Sequence, residues 1–197
     1  MSFLLQVVDV FLHLDAHFAA VYATYGSFIY LILFLIIFCE TGLVIIPFLP
    51  GDSLLFVAGA FAAKGTLHFP MLILIFAAAA IIGDSVNYAL GRSFGNRVYK
   101  KNFWFLNREH LDEAKKFYEK HGAKTIVLAR YLPIVRTFAP FVAGASHMHY
   151  RTFFWYNVFG GILWVCIGTS LGYLFGNIPI IERHFSVAVI CVVLLSL

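Results

Sequence analysis

Five ionisable side chains interrupt the apolar stretches of this 197-residue chain: Glu40, Asp52, Asp84, Arg130 and Arg136. At the centre of a membrane helix each would cost roughly 2.5–3.5 kcal/mol, so five uncompensated charges cost on the order of 10 kcal/mol or more. That rivals the whole stability of a domain, about 5–15 kcal/mol. The five are therefore expected to be paired, hydrated or both.

The arginines carry the clearest chemistry. Arg130 and Arg136 are six residues apart, which on an unbroken helix turns them about 120° away from each other. Pro133 lies between them, and a break there lets both guanidiniums enter one cavity. Arginine keeps its charge and presents a planar fork suited to carboxylate or phosphate. Two readings follow: partners for Glu40 and Asp52, or a site for an anionic lipid head group. Both can hold at different stages of a cycle in which a substrate phosphate displaces a carboxylate.

Each acid has its own reading. Glu40, between Cys39 and Thr41 in mid-run, has no capping role, and burial opposes its ionised form unless an arginine lies close. It is the leading candidate for proton binding. Asp52 follows Pro50 and Gly51 and is placed to cap the next helix through the amides of Leu54 or Leu55, which does not exclude an ionic role. Asp84 opens the polar stretch "GDSVNYALGR" and is read first as interhelical glue, bonding to Ser85, Asn87 or Tyr88. Tyr88 and Arg92 are supporting polar residues, with Arg92 and Arg97 snorkelling to the cytoplasmic end.

The elements that must position these groups are membrane helices. The chain is 61% hydrophobic and 12% charged, against roughly half and a quarter in soluble domains. Apolar runs cover residues 28–49, 69–90, 152–175 and 185–197, set against the roughly 20 residues a helix needs to cross. The last run is short for a crossing. Continuous rather than alternating runs argue against a β-barrel. Residues 92–124 hold nine of the 14 Lys and Arg (Arg92, Arg97, Lys100, Lys101, Arg108, Lys115, Lys116, Lys120, Lys124), which places this segment in the cytoplasm. The +4 net charge thus reflects topology and implies no nucleic-acid partner. Asn107 can cap a short surface helix there that ends before Gly122. Residues 3–25 read as an interfacial amphipathic helix rather than a signal peptide. Cys39, Cys166 and Cys191 lack metal or disulfide spacing, His147 and His149 read as interfacial, and no cofactor or metal is implied.

The chain repeats itself. "FVAGA" occurs at 56–60 and 141–145, and at the same offset Phe69 aligns with Phe154, Gly83 with Gly168, Ser85 with Ser170, Tyr88 with Tyr173 and Gly91 with Gly176. This marks an internal duplication. Each copy reads as a proline-broken hairpin followed by one span, the first broken at Pro47, Pro50 and Gly51, the second at Pro133 and Pro140. Residues 124–145 are too few for two crossings, so the second hairpin must re-enter. If the first does too, each copy crosses once and the two are inverted, an architecture of secondary transporters. Irregular backbone at membrane depth must then line a polar cavity.

The expected fold is an all-α polytopic membrane protein built of two inverted repeats, each a re-entrant helical hairpin plus a transmembrane helix. In order these are an N-terminal amphipathic helix (1–26), the first repeat (27–91), a cytoplasmic loop and helix (92–123), the second repeat (124–176) and a C-terminal transmembrane helix (177–197).

Four spaced motifs appear in order: "E-x(6)-P-x-x-P-G-D" from Glu40 to Asp52, "GD-x-x-x-Y-x-x-GR-x-x-G" from Gly83 to Gly95, "R-Y-x-P-x-x-R-T-x-x-P-x-x-AG" from Arg130 to Gly144, and "F-x-x-x-N-x-x-G-x-x-x-W" from Phe153 to Trp164. Over about residues 25–180 the chain resembles the DedA family of bacterial inner-membrane proteins, related to the eukaryotic VTT proteins. The resemblance implies lipid translocation: return of undecaprenyl phosphate across the inner membrane, or phospholipid scrambling. It also implies an acidic pair and an arginine pair, which fall on Glu40, Asp52, Arg130 and Arg136.

The expectation is a multi-pass inner-membrane flippase for a polyprenyl phosphate, coupled to protons, with Arg130 and Arg136 on the phosphate and Glu40 or Asp52 exchanging the proton. The sequence leaves a homo-oligomer open. A general scramblase or a proton-coupled cation exporter is the alternative. An intramembrane lipid phosphatase lacks a nucleophile set, Ser53 beside Asp52 being the nearest approach, and a scaffold would use the charges structurally.

Overall fold

A computed structural model of the chain describes residues 26–42, 51–100, 116 and 118–177, in which the regular elements are helical. The expected N-terminal helix, Pro47, Pro50, the Asn107 cap, Cys191 and the last span lie outside the described residues.

Among the described residues, the α-helices α1 (Phe28–Gly42), α2 (Gly51–Ala63), α3 (Phe69–Lys100), α4 (Thr125–Leu128), α5 (Pro133–Ala145) and α6 (Tyr150–Gly176) follow in chain order. Within α3 the segment Phe69–Phe94, and α6 over its whole length, are long and apolar enough to cross a membrane. Their outward side chains include Leu74, Trp155, Phe159 and Leu174, a surface suited to hydrocarbon. α3 runs on as helix to Lys100, ten residues beyond the apolar run that begins it. α2 starts at Gly51, so Asp52 stands inside the first turn rather than ahead of it, where its charge still favours the helix N-terminus.

Between Gly122 and Ala145 the backbone is broken once. A 3₁₀ turn (Gly122–Lys124), α4 and a second 3₁₀ turn (Ala129–Tyr131) lead to Leu132, which is extended at φ −117° and ψ 108°. Pro133 causes this, because its ring disfavours the helical conformation in the preceding residue, and it then opens α5 as the first helical residue. Pro140 does not break the chain as expected: it sits inside α5. Its missing N–H takes a donor from the Arg136 carbonyl, but one lost bond is tolerated where the helix is embedded by Val135, Phe138, Ala139, Phe141 and Val142, all buried.

The chain divides into two compact units. One takes residues 1–33, 50–75 and 166–197, the other 34–49 and 76–165. Each contains one "FVAGA" helix packed through glycine. In the first unit a methyl on Gly59 would strike the Thr169 carbonyl, and one on Gly172 the Phe56 carbonyl. In the second, a methyl on Gly144 would strike the Tyr88 carbonyl, and one on Gly91 the Phe141 carbonyl. Small residues permit such backbone approach in membrane helices. The partner of Phe56 is Gly172, whereas the gapless alignment that pairs Phe56 with Phe141 matches Gly91 to Gly176. The difference is four residues, one helical turn, which leaves the same helix face in contact.

Both "FVAGA" helices also end alike. After α2, Thr66 N–H donates to Phe61 O and Gly65 N–H to Ala62 O; after α5, Met148 N–H donates to Ala143 O and His147 N–H to Gly144 O. This is the Schellman pattern, whose left-handed position falls on Gly65 (φ 76°) and on His147 (φ 57°). His147 thus has a backbone role, with its Nδ1 3.0 Å from Ala145 O.

Candidate functional site

The second unit holds a cleft lined by Glu40, Thr41, Asp84, Arg130, Arg136, Thr137 and Trp164. Four of the five charges singled out in the sequence meet here, and Asp52 belongs to the other unit.

Local structure explains how each side chain arrives. α1 and α3 approach at Gly42 and Gly83, where an added Gly42 methyl would lie 3.2 Å from the Gly83 Cα. This glycine crossing brings Glu40 and Thr41, at the end of α1, to the level of Asp84 in α3. Arg130 projects from the 3₁₀ turn and Arg136 from the first turns of α5, on either side of the Leu132 break. The break reorients the two guanidiniums so that both reach the cleft.

Two ion pairs result: Arg136 with Glu40 and Arg130 with Asp84. Asp84 therefore bonds to Arg130 rather than to the neighbouring polar residues of its own helix. Arg130 also donates to Asn157 Oδ1 at 2.6 Å. Asn157, fully buried on α6, is oriented in turn by donating to Ile81 O at 3.0 Å and to Ser85 Oγ at 3.4 Å. Trp164 lies under both cations, its ring centroid 5.1 Å from Arg136 Cζ and 5.9 Å from Arg130 Cζ. Such cation–π contacts are each worth roughly 0.5–2 kcal/mol, more where water is excluded.

Asn87 ties the frame together. Its Nδ2 donates to Thr41 O at 3.1 Å and to Thr137 O at 2.9 Å, the carbonyls one residue beyond Glu40 and Arg136. Two carbonyl acceptors require the NH₂ group to face them, which sets the amide orientation. Asn87→Ala removes both bonds in a fully buried position and is expected to cost about 2–3 kcal/mol. Unfolding of the variant in detergent measures this, and a loss under about 0.5 kcal/mol would contradict the clamp.

The cleft encloses about 10 Å³ of solvent-reachable space, room for about one water molecule. Both arginines are paired with carboxylates there.

Tyr88 and Arg92 serve elsewhere. Arg92 donates to the Tyr88 hydroxyl at 3.0 Å, and that hydroxyl bonds to Met148 O. Neither residue lines the cleft. The residues that sequence reasoning did not assign to the site are Thr41, Asn87, Thr137, Asn157 and Trp164. For Asn157 and Asn87 the available signal was a carboxamide inside an apolar run, which demands buried partners.

Comparison with known proteins places this cleft in context. The VTT domain family matches residues 49–174. Protein DedA of Escherichia coli is 50% identical over 200 aligned positions, covering 100% of this chain and 91% of that protein. An uncharacterised membrane protein of Mycobacterium leprae is 42% identical, covering 82% of this chain and 73% of the relative. The inner membrane protein YqjA of Escherichia coli is 37% identical, covering 85% and 76% respectively. No solved structure matches the chain at a significant level.

Proposed function

This chain belongs to the DedA family of VTT-domain membrane proteins, and from that premise we propose that it is a transporter, not an enzyme, moving a lipid with an anionic head group across the cytoplasmic membrane. The substrate class is a polyprenyl phosphate such as undecaprenyl phosphate. The observation that carries this reading is the convergence of two arginines and two carboxylates on one cleft at Trp164. A phosphate is the natural competitor for an arginine already holding a carboxylate, because both offer paired anionic oxygens to the same fork. The head group needs such a polar path, while the prenyl tail stays in hydrocarbon.

Proton coupling follows from the same exchange. A carboxylate displaced from its arginine at membrane depth is stabilised by taking up a proton, so loading of the phosphate draws a proton with it. Two inverted repeats, each with a re-entrant hairpin, would present the cleft to the two sides in turn.

Arg136→Ala is expected to lower transport of a polyprenyl phosphate in proteoliposomes by about tenfold or more, the value of a charge-assisted contact. A wild-type rate at equal reconstitution would sink the assignment. Equal movement of labelled glycerophospholipids by the wild-type protein would instead favour a general scramblase.

A further inference from the structure

The helices divide the charges of the cleft. The acids come from α1 and α3, the arginines from α5 and the 3₁₀ turn before it. What α6 presents to the arginines is neutral. Asn157, Gly160, Gly161 and Trp164 follow at helical spacing along one face of α6. Asn157 Oδ1 accepts from Arg130, and a methyl on Gly160 or Gly161 would lie 3.3 Å from an Arg130 nitrogen. At the end of this face the Trp164 ring, 5% exposed, has the Cζ of Arg136 over it at 5.1 Å and that of Arg130 at 5.9 Å.

The indole differs from the acids in how it holds a cation. A carboxylate binds a guanidinium through its N–H groups, where a phosphate also binds, so acid and substrate compete. A π contact takes no N–H, so the ring and an anion can hold one guanidinium together. The attraction is also uneven over an exchange. An arginine on its acid presents a nearly neutral pair to the ring, whereas one between anions presents a full charge. The cleft's solvent-reachable space of about 10 Å³ is too small to hydrate two cations. The ring therefore contributes most when a guanidinium has left one anion and not yet met the next. An interaction stronger there than in the flanking states raises a rate rather than an affinity.

We propose that Trp164 is a positioning residue for transport: its ring stabilises the two arginines while they change anions, and so sets the rate of exchange rather than the affinity for the head group. This role rests on the proposed transport of a lipid phosphate.

Fluorine withdraws electron density from the indole face at nearly constant shape, which weakens a cation–π contact and leaves packing in place. Mono-, di- and trifluorotryptophan are introduced in place of Trp164 in the full chain by amber suppression, and farnesyl phosphate transport is followed in proteoliposomes. The maximal rate is expected to fall stepwise, to about one fifth or less with three fluorines, while KM stays within about twofold of wild type. A rate indifferent to fluorine would overturn the proposal. So would a rise in KM at constant rate, which would make the ring part of the head-group site.

A second arm needs no substrate. In Glu40→Gln protein, where Arg136 loses that counter-charge, trifluorination is expected to shift the unfolding constant in detergent by about threefold or more beyond its effect in wild type. Asp84→Asn tests Arg130 in the same way if Glu40→Gln does not fold. An equal effect in variant and wild type would overturn the proposal. If wild type moves no farnesyl phosphate, the transport reading is what fails, and the unfolding shifts alone decide whether the ring supports an uncompensated cation.

Discussion

Arg130→Ala is expected to destabilise the protein by about 3–5 kcal/mol, the usual cost of leaving one member of a buried ion pair without its partner. The substitution strands Asp84, 7% exposed at its side chain, and removes the donor to Asn157 Oδ1. Little of that cost measures the worth of the pair; most is the penalty of a bare carboxylate in a low-dielectric site. The control follows directly. Asp84→Asn on an Arg130→Gln background replaces charge by amide at both ends and is expected to recover most of the loss. Unfolding in detergent micelles monitors both variants. An Arg130→Ala protein within about 1 kcal/mol of wild type would mean that Asp84 is hydrated rather than paired.

The second large effect concerns backbone contact. Gly91→Ala and Gly172→Ala each place a methyl against a carbonyl oxygen, Phe141 O and Phe56 O respectively. A flexible side chain could swing away from such a contact, but helix backbone cannot, so the two helices must separate along their crossing. Overpacking of this kind costs about 1–3 kcal/mol and occasionally more, and the upper end is expected here because the obstructing atom belongs to the main chain. Gly91→Ala should also disturb the cleft, since it shifts α5, which carries Arg136, relative to α3, which carries Asp84 and Asn87. The measurements are the unfolding transition and the transport rate; an unchanged transition in both variants would contradict the close crossings.

These effects separate what is local from what is not. Membrane residence and the two helices long and apolar enough to cross follow from uninterrupted apolar runs, which report on the solvent a segment can tolerate. The break before Pro133 follows from the covalent geometry of one residue and appears where expected, at Leu132. Pro140 carries the same covalent constraint and breaks nothing, because the packing around α5 compensates a single missing donor. The local rule is identical at the two prolines and the tertiary environment differs.

The site divides along the same line. By itself the sequence determined that charges at membrane depth must find partners, because the cost of leaving them bare is set by the residue and its surroundings in the chain. It also determined that Arg130 and Arg136 could share a cavity, since the break between them is local. Only the tertiary structure decided who pairs with whom: Asp84 meets Arg130 and Glu40 meets Arg136, Asn157 and Trp164 complete the cleft, and Asn87 joins the backbones beside Glu40 and Arg136. Those outcomes depend on which turns of separate helices face each other. A glycine crossing such as Gly42 on Gly83, or a register shift of a single turn, changes the partner while leaving every local signal in the chain as it was.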